Sequence, residues 1–160
     1  MGDLVSLISS VIKELVSMPP GTYVLILYVP YDIQLKIGGL GMRSFERGYY
    51  AYVGSALSGL GGRIAHHLRK EKTTHWHIDY LTMRAAVVDL VVAESSTRRE
   101  CDVAKELGKS LQGVRGFGSG DCRCTCHLFY SPSYHELLER VVKAFKSCGL
   151  KPIKKIPPNR

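Results

Sequence analysis

The sequence predicts an α+β domain with a small, mainly antiparallel central sheet and helices packed around it. Three observations carry that reading. Residues 22–29, 48–53 and 87–93 are runs rich in β-branched and aromatic residues, the first two bounded by glycine or proline, the composition of strands. Apolar stripes at helical spacing fall between them at irregular intervals, a pattern of α+β folds or of small mixed sheets with helices on their faces. The chain has 160 residues, 45% hydrophobic and 22% charged, enough to bury one core without disulfide or metal staples.

Leu4, Ile8, Val11 and Leu15 recur at helical spacing, which predicts an extra N-terminal helix over about 3–17, ended by Pro19-Pro20. Gly21 opens the first strand and Pro30 interrupts it. Gln34 to Ile37 reads as a short strand before the turn Gly38-Gly39-Leu40-Gly41. The stretch between the first two long strands is long for a hairpin loop, and such insertions are often functional. The second long strand is expected to end at Gly54. Leu57, Leu60, Ile64 and Leu68 mark the next helix, whose start Gly59, Gly61 and Gly62 delay.

Val87 to Ala93 is the third long strand. Thr97 and Glu100 have the spacing of a capping box and predict a helix through about Lys109. A glycine-rich loop, Gly113 to Gly120, precedes a last short strand at His127 to Tyr130. Ser133 and Glu136 make a second capping box for a closing helix that Gly149 stops. The N- and C-terminal helices are expected to cover the sheet edges. Residues 1–150 form one domain, with its core at about 21–112, the Cys/Gly-rich segment and closing helix at about 113–149, and a loose basic tail at 151–160.

The formal charge is +8 and the pI about 9.3, a surface that attracts polyanions. Nucleic acid is the expected partner, with DNA favoured over RNA. No run is long and uncharged enough to span a bilayer, and nothing resembles a secretory leader, so no membrane partner is expected. Five cysteines without such a leader point to a cytoplasmic protein with mostly reduced thiols.

Three local features sit in order: Gly21-Thr22-Tyr23 on the first strand, Tyr52-Val53-Gly54 on the second, and Arg63 with His67 on one face of the following helix. Glu100 comes later, on the first turn of another helix. Together these resemble the GIY-YIG nuclease family, whose pattern is Gly-x-Tyr, Tyr-x-Gly, an Arg-x-x-x-His helix and a metal-binding Glu. The resemblance covers roughly Gly21 to Leu111. It is closest to a largely archaeal branch in which His-Trp-His-Ile-Asp-Tyr-Leu and Gly-Phe-Gly-Ser-x-Asp-Cys-x-Cys follow the core.

The resemblance implies a metal-dependent endonuclease. Phosphodiester hydrolysis needs an activated water, stabilised phosphoryl charge and help for the leaving oxygen. By resemblance Tyr23 is the base or water-orienting group, assisted by His67, with Tyr52 hydrogen-bonding in the same site. Arg63 offers a permanently charged fork for phosphate oxygens. Glu100 holds one Mg²⁺ or Mn²⁺, and Glu94 is the alternative ligand. Fusion of related sequences to base-excision glycosylases implies a role in repair and a repair-enzyme partner. Two departures from the family pattern bear on this, and the missing Asn together with the unusual Cys/His segment favours the alternative, a nucleic-acid-binding module that keeps the fold without cutting. The spacer from Tyr23 to Tyr52 is longer than in compact members, and the Asn that many members carry beyond the metal Glu is missing, with Gln112 the nearest amide.

Each residue also has a plainer role. Tyr23 and Tyr52 singly would be packed strand aromatics, and Arg63 and His67 solvated helix residues. Glu100 would cap its own helix. Arg69 and Lys70 extend the basic face of the Arg63 helix, and His75 and His77 flank Trp76 in a candidate base-stacking or second metal patch. In a strand Cys122, Cys124 and Cys126 would face one way, with His127 next, and with His75 or His77 they are candidate zinc ligands. Their spacing is not that of structural zinc sites, so small buried side chains in a tight loop are the favoured expectation.

Overall fold

The computed structural model describes residues 19–120 and 122–154. The expected helix at 3–17 and the end of the tail lie outside the described residues. Among the described residues the fold is α+β, built on a six-stranded antiparallel sheet with helices on both faces.

The centre of the sheet is β1 (Gly21–Val29), between β4 (Gly48–Ala56) and β5 (Ala86–Glu94). Beyond β4 come β7 (Leu128–Ser131) and then β6 (Gln112–Gly113); β8 (Ile153–Lys154) lies outside β5. β1 is buried on both faces because its odd and even positions are both apolar, the pattern of a central strand. Tyr23, Leu25 and Leu27 join Tyr50, Tyr52, Leu90 and Val92 on one face. Val24 and Ile26 join Ala51, Val53, Val91 and Ala93 on the other.

The first face is covered by α1 (Leu60–Leu68) through Leu60 and Ile64, by α2 (His77–Thr82) through Ile78 and Leu81, and by Phe117 from the glycine-rich loop. The long insertion adds a hairpin of its own. In it β2 (Ile33–Lys36) pairs with β3 (Met42–Phe45) around a 3-10 turn at Gly38–Leu40, and buries Leu35, Ile37 and Phe45. The second face is covered by α3 (Glu100–Gly108) and α4 (Tyr134–Ser147), which bury Val103, Leu107, Leu137, Val141 and Phe145.

Several elements differ from the sequence expectation. β4 passes through Gly54 and ends at Ala56. Gly54 does not break the strand; the Tyr23 ring lies where its Cβ would be. The His75-Trp76-His77 alternation does not make a strand, because both Asp79 carboxylate oxygens fold back, Oδ2 accepting from the His75 and Trp76 amides and Oδ1 bonding His66 Nε2. α2 starts there instead. α4 covers a face of the sheet rather than an edge, since its apolar stripe matches the Val24 face.

The tail is not loose throughout. Ile153 and Lys154 pair with Val92 and Val91, and Lys154 Nζ lies 3.4 Å from the buried Asp89 carboxylate, which also accepts from the Tyr134 hydroxyl at 2.5 Å. No helix among the described residues is long and apolar enough to cross a membrane.

Candidate active site

Tyr23 and Gly54 are register partners across β1 and β4. A side chain at Gly54 would collide with the Tyr23 hydroxyl and ring, so the glycine makes the slot in which the phenol lies. At the end of that slot the Tyr23 hydroxyl is 2.7 Å from His67 Nε2. His67 is on the last turn of α1, and Tyr52 completes the triangle, its ring centroid 6.5 Å from that of Tyr23 and 6.1 Å from that of His67.

This cluster is almost dry: Tyr23 and His67 are each 1% exposed. Burial pushes both phenols, Tyr23 and Tyr52, above the ordinary tyrosine value; at Tyr23 the Arg63 guanidinium opposes the rise and the Glu100 carboxylate adds to it. Burial pulls the His67 imidazole down to about 3. His67 is therefore neutral near pH 7 and can accept a hydrogen bond from the Tyr23 hydroxyl at Nε2. Its Nδ1 is buried and has no hydrogen-bond partner among the described residues. Such an orphan costs about 1–3 kcal/mol and is a feature of sites kept for function.

Arg63 is one helical turn before His67. Its guanidinium donates to the Ser55 carbonyl at 2.9 Å and its Cζ sits 4.7 Å over the Trp76 ring. Trp76 is held in turn by the His66–Asp79 pair: the His66 ring meets Trp76 edge-on, and His66 Nε2 is 2.9 Å from Asp79 Oδ1. Burial works against an ionised Asp79, but the amides of Trp76 and His75 and the His66 ring more than offset it, so its carboxyl is held below the usual range.

Glu100 arrives from the other layer. It opens α3, but the Thr97 capping box does not form, since Arg99 occupies the N-cap position without a side-chain cap bond. The carboxylate is free to accept from the Ser55 hydroxyl instead, with the Arg98 guanidinium 3.8 Å from its other oxygen. Ser55 thus has Arg63 on its carbonyl and Glu100 on its hydroxyl. The sequence reading missed it, although its place immediately after Tyr-x-Gly was the available signal. Glu94 is exposed at the end of β5, paired in register with Gly21.

Glu100 is the residue that could hold a hard divalent cation, since a single carboxylate suits an ion that keeps several waters.

The other candidate residues lie around this centre. Arg69 is exposed just past α1. Lys70 directs its ammonium at the Thr82 and Ala85 carbonyls, at 2.9 and 2.6 Å, where it stabilises the end of α2. Lys72, which the sequence reading did not single out, bonds the His66 and His67 carbonyls and the Thr82 hydroxyl. His75 is exposed beside Trp76, and His77 Nδ1 accepts from the Gly118 amide at 2.9 Å. Of the C-terminal cysteines, Cys122 and Cys124 gather with His127, whereas Cys126 is buried in the core and donates to the Leu128 carbonyl. Cys126 departs from the other two because residues 122–127 form bends rather than a strand, so the alternation does not apply.

Residues 22–150 match the family described as Domain of unknown function DUF123. No curated protein and no solved structure matches the chain. The matched span takes in every residue of the tyrosine site and most of the chain, and the chain belongs to the DUF123 family, a GIY-YIG-like family.

Proposed function

We propose that this protein is a metal-dependent endonuclease that hydrolyses nucleic-acid phosphodiesters, with DNA as the substrate and repair as the setting. The observation that carries the reading is the 2.7 Å bond between the Tyr23 hydroxyl and a neutral, buried His67 Nε2, with Arg63 and Glu100 both bonded to the adjoining Ser55.

A phenol is a poor base by itself, because its reference pKa of about 10 belongs to the loss of a proton, not to a gain. A phenol held by a neutral imidazole is suited instead to orienting a water. Tyr23 donates to His67 Nε2, so its oxygen lone pairs remain for a water. Tyr23 orients that water as it attacks phosphorus, and the water's proton passes to solvent. The bond from phosphorus to the leaving oxygen breaks, and that oxygen takes a proton from solvent. Arg63 keeps further N–H donors beyond the one on Ser55, suited to two phosphate oxygens. Glu100 would hold the Mg²⁺ or Mn²⁺, which when bound supplies charge stabilisation at the phosphoryl oxygens.

The burial of Tyr23 and His67 favours a second reading, in which the same cluster is core packing and the protein binds nucleic acid without cutting. A cleavage assay separates the two. Purified protein is incubated with labelled single-stranded, double-stranded, branched and abasic DNA, and with RNA, in Mg²⁺, Mn²⁺ or EDTA. The nuclease reading expects metal-dependent products that fall about a hundredfold or more in Arg63→Ala and Glu100→Ala. Retained binding with no products on any substrate would establish the second reading.

A further inference from the structure

Four side chains away from the tyrosine hydroxyls meet at the start of α3. Cys101 comes from its first turn, and Cys122, Cys124 and His127 from the segment leading into β7. Their Sγ and Nε2 atoms all lie within 4.8 Å of one another. His127 Nε2 is 3.8 Å from Cys101 Sγ and 3.3 Å from Cys122 Sγ. A tetrahedral zinc ion with its usual bond lengths sets neighbouring sulfur and nitrogen ligand atoms about 3.5–3.8 Å apart. The cluster is therefore at ligand spacing. Three thiols and an imidazole are a soft, four-member donor set of the kind that closes around zinc, and a poor one for magnesium or calcium.

A second observation points to an ion. The His127 ring is already oriented: its Nδ1–H donates to the Val53 carbonyl at 3.2 Å, which leaves the Nε2 lone pair facing the thiols. A backbone carbonyl on the far nitrogen is the usual partner of a metal-bound histidine. The backbone of His127 is fixed too, its carbonyl accepting from Val53 N and its amide donating to Phe117 O. Cys101 and Cys124 also line an open groove of about 690 Å³ between α3 and residues 123–129, which gives an ion a way in.

We propose that Cys101, Cys122, Cys124 and His127 form a structural zinc site that clips the start of α3 to β4. The proposal does not rest on the nuclease reading. Binding displaces the thiol protons, so zinc enters as protons leave. The ion would tie together three pieces of chain: the first turn of α3, the bends at 122–124, and His127, which brackets Val53. Glu100 is the neighbour of Cys101, and Val53 lies between Tyr52 and Gly54, so the clip also fixes where the Glu100 carboxylate meets the end of β4.

The test is elemental analysis of the full chain, purified without chelator and again after zinc reconstitution, beside Cys101→Ser, Cys124→Ser and Cys148→Ser. One zinc per chain is expected in the wild type and in Cys148→Ser, with at least a tenfold loss in the other two. Because those two variants can fail to fold, chelator-stripped wild type is also titrated with Co²⁺. Tetrahedral cobalt bands and thiolate charge-transfer absorption, saturating at one equivalent, are expected. No stoichiometric zinc after reconstitution, full occupancy in Cys101→Ser, or no thiolate–cobalt absorption would each overturn the site. An intact mass lighter by two hydrogens, marking a disulfide within the cluster, would do the same.

Discussion

Tyr23 and His67 bury two polar groups against each other, and the cost of that arrangement is readable in pH. The folded-state pKa of His67 is about 3, below the ordinary imidazole value near 6.5. Below pH 6.5 the unfolded chain takes up a proton that the folded chain refuses. The contribution is therefore fully present above pH 6.5 and is lost as pH falls toward 3, at about 1.4 kcal/mol per pH unit. His67→Gln keeps a polar group for the Tyr23 hydroxyl and removes the titration. Urea unfolding at pH 7, 6 and 5 is expected to show wild type losing more stability than His67→Gln, by about 0.7 kcal/mol between pH 7 and 6 and about 1.2 kcal/mol between pH 6 and 5. Parallel curves would mean that His67 is protonated without penalty, and so is wetter than its burial implies. His77 and His127 also have burial-lowered pKa values, but they are present in both proteins and cancel in the comparison.

At the scale of elements, glycine is the residue whose role the sequence leaves most ambiguous. Gly54 and Gly62 lie only eight residues apart, yet their surroundings are opposite. A Cβ at Gly54 would collide with the Tyr23 ring, whereas one at Gly62 in α1 would meet nothing within 4 Å. Gly54→Ala is expected to destabilise by about 1–3 kcal/mol through overpacking. Gly62→Ala is expected to stabilise by about 0.4–1 kcal/mol, by restricting the unfolded chain. Urea midpoints with unchanged slopes check both; a neutral Gly54→Ala would mean that Tyr23 leaves its slot without cost.

The same contrast explains which elements could be read in advance. β1 and β5 carry continuous apolar runs, α1 and α4 apolar stripes at helical spacing, and all four lie within a few residues of the expected positions. β3 and β6 are too short to carry a period, and α2 depends on an Asp79 cap whose partners precede it in the chain. The Thr97–Glu100 spacing suggested a cap, but the Ser55 hydroxyl takes the Glu100 carboxylate, a contact between residues 45 positions apart that no local pattern contains. Cys101 was passed over for a similar reason: the alternation of Cys122, Cys124 and Cys126 drew attention to neighbours in sequence, while the fold gathers Cys101 from another helix.

For the molecule as a whole, the two layers contribute unequally to the candidate site. Among the described residues, the α1–α2 layer brings Tyr23, Tyr52, Arg63 and His67 together, and the α3–α4 layer sends in the Glu100 carboxylate. The chain carries a net charge of +8, and an overall charge says nothing about which cations touch a ligand. The fold separates two of them. Arg69 and Lys70 are adjacent and both exposed, but the Lys70 ammonium is occupied by the Thr82 and Ala85 carbonyls. If the protein binds nucleic acid next to α1, each phosphate contact releases counterions, and losing one should lower the slope of log affinity against log salt by about 1. Arg69→Ala is expected to do that with little change in stability. Lys70→Ala is expected to leave the slope alone and lower the unfolding midpoint, since it removes two charge-assisted bonds to carbonyls. Fluorescence anisotropy with duplex DNA between 50 and about 200 mM salt, with melting curves alongside, measures both. If Lys70→Ala lowered the slope and left the midpoint unchanged, Lys70 would be a phosphate contact and its bonds to α2 would be incidental.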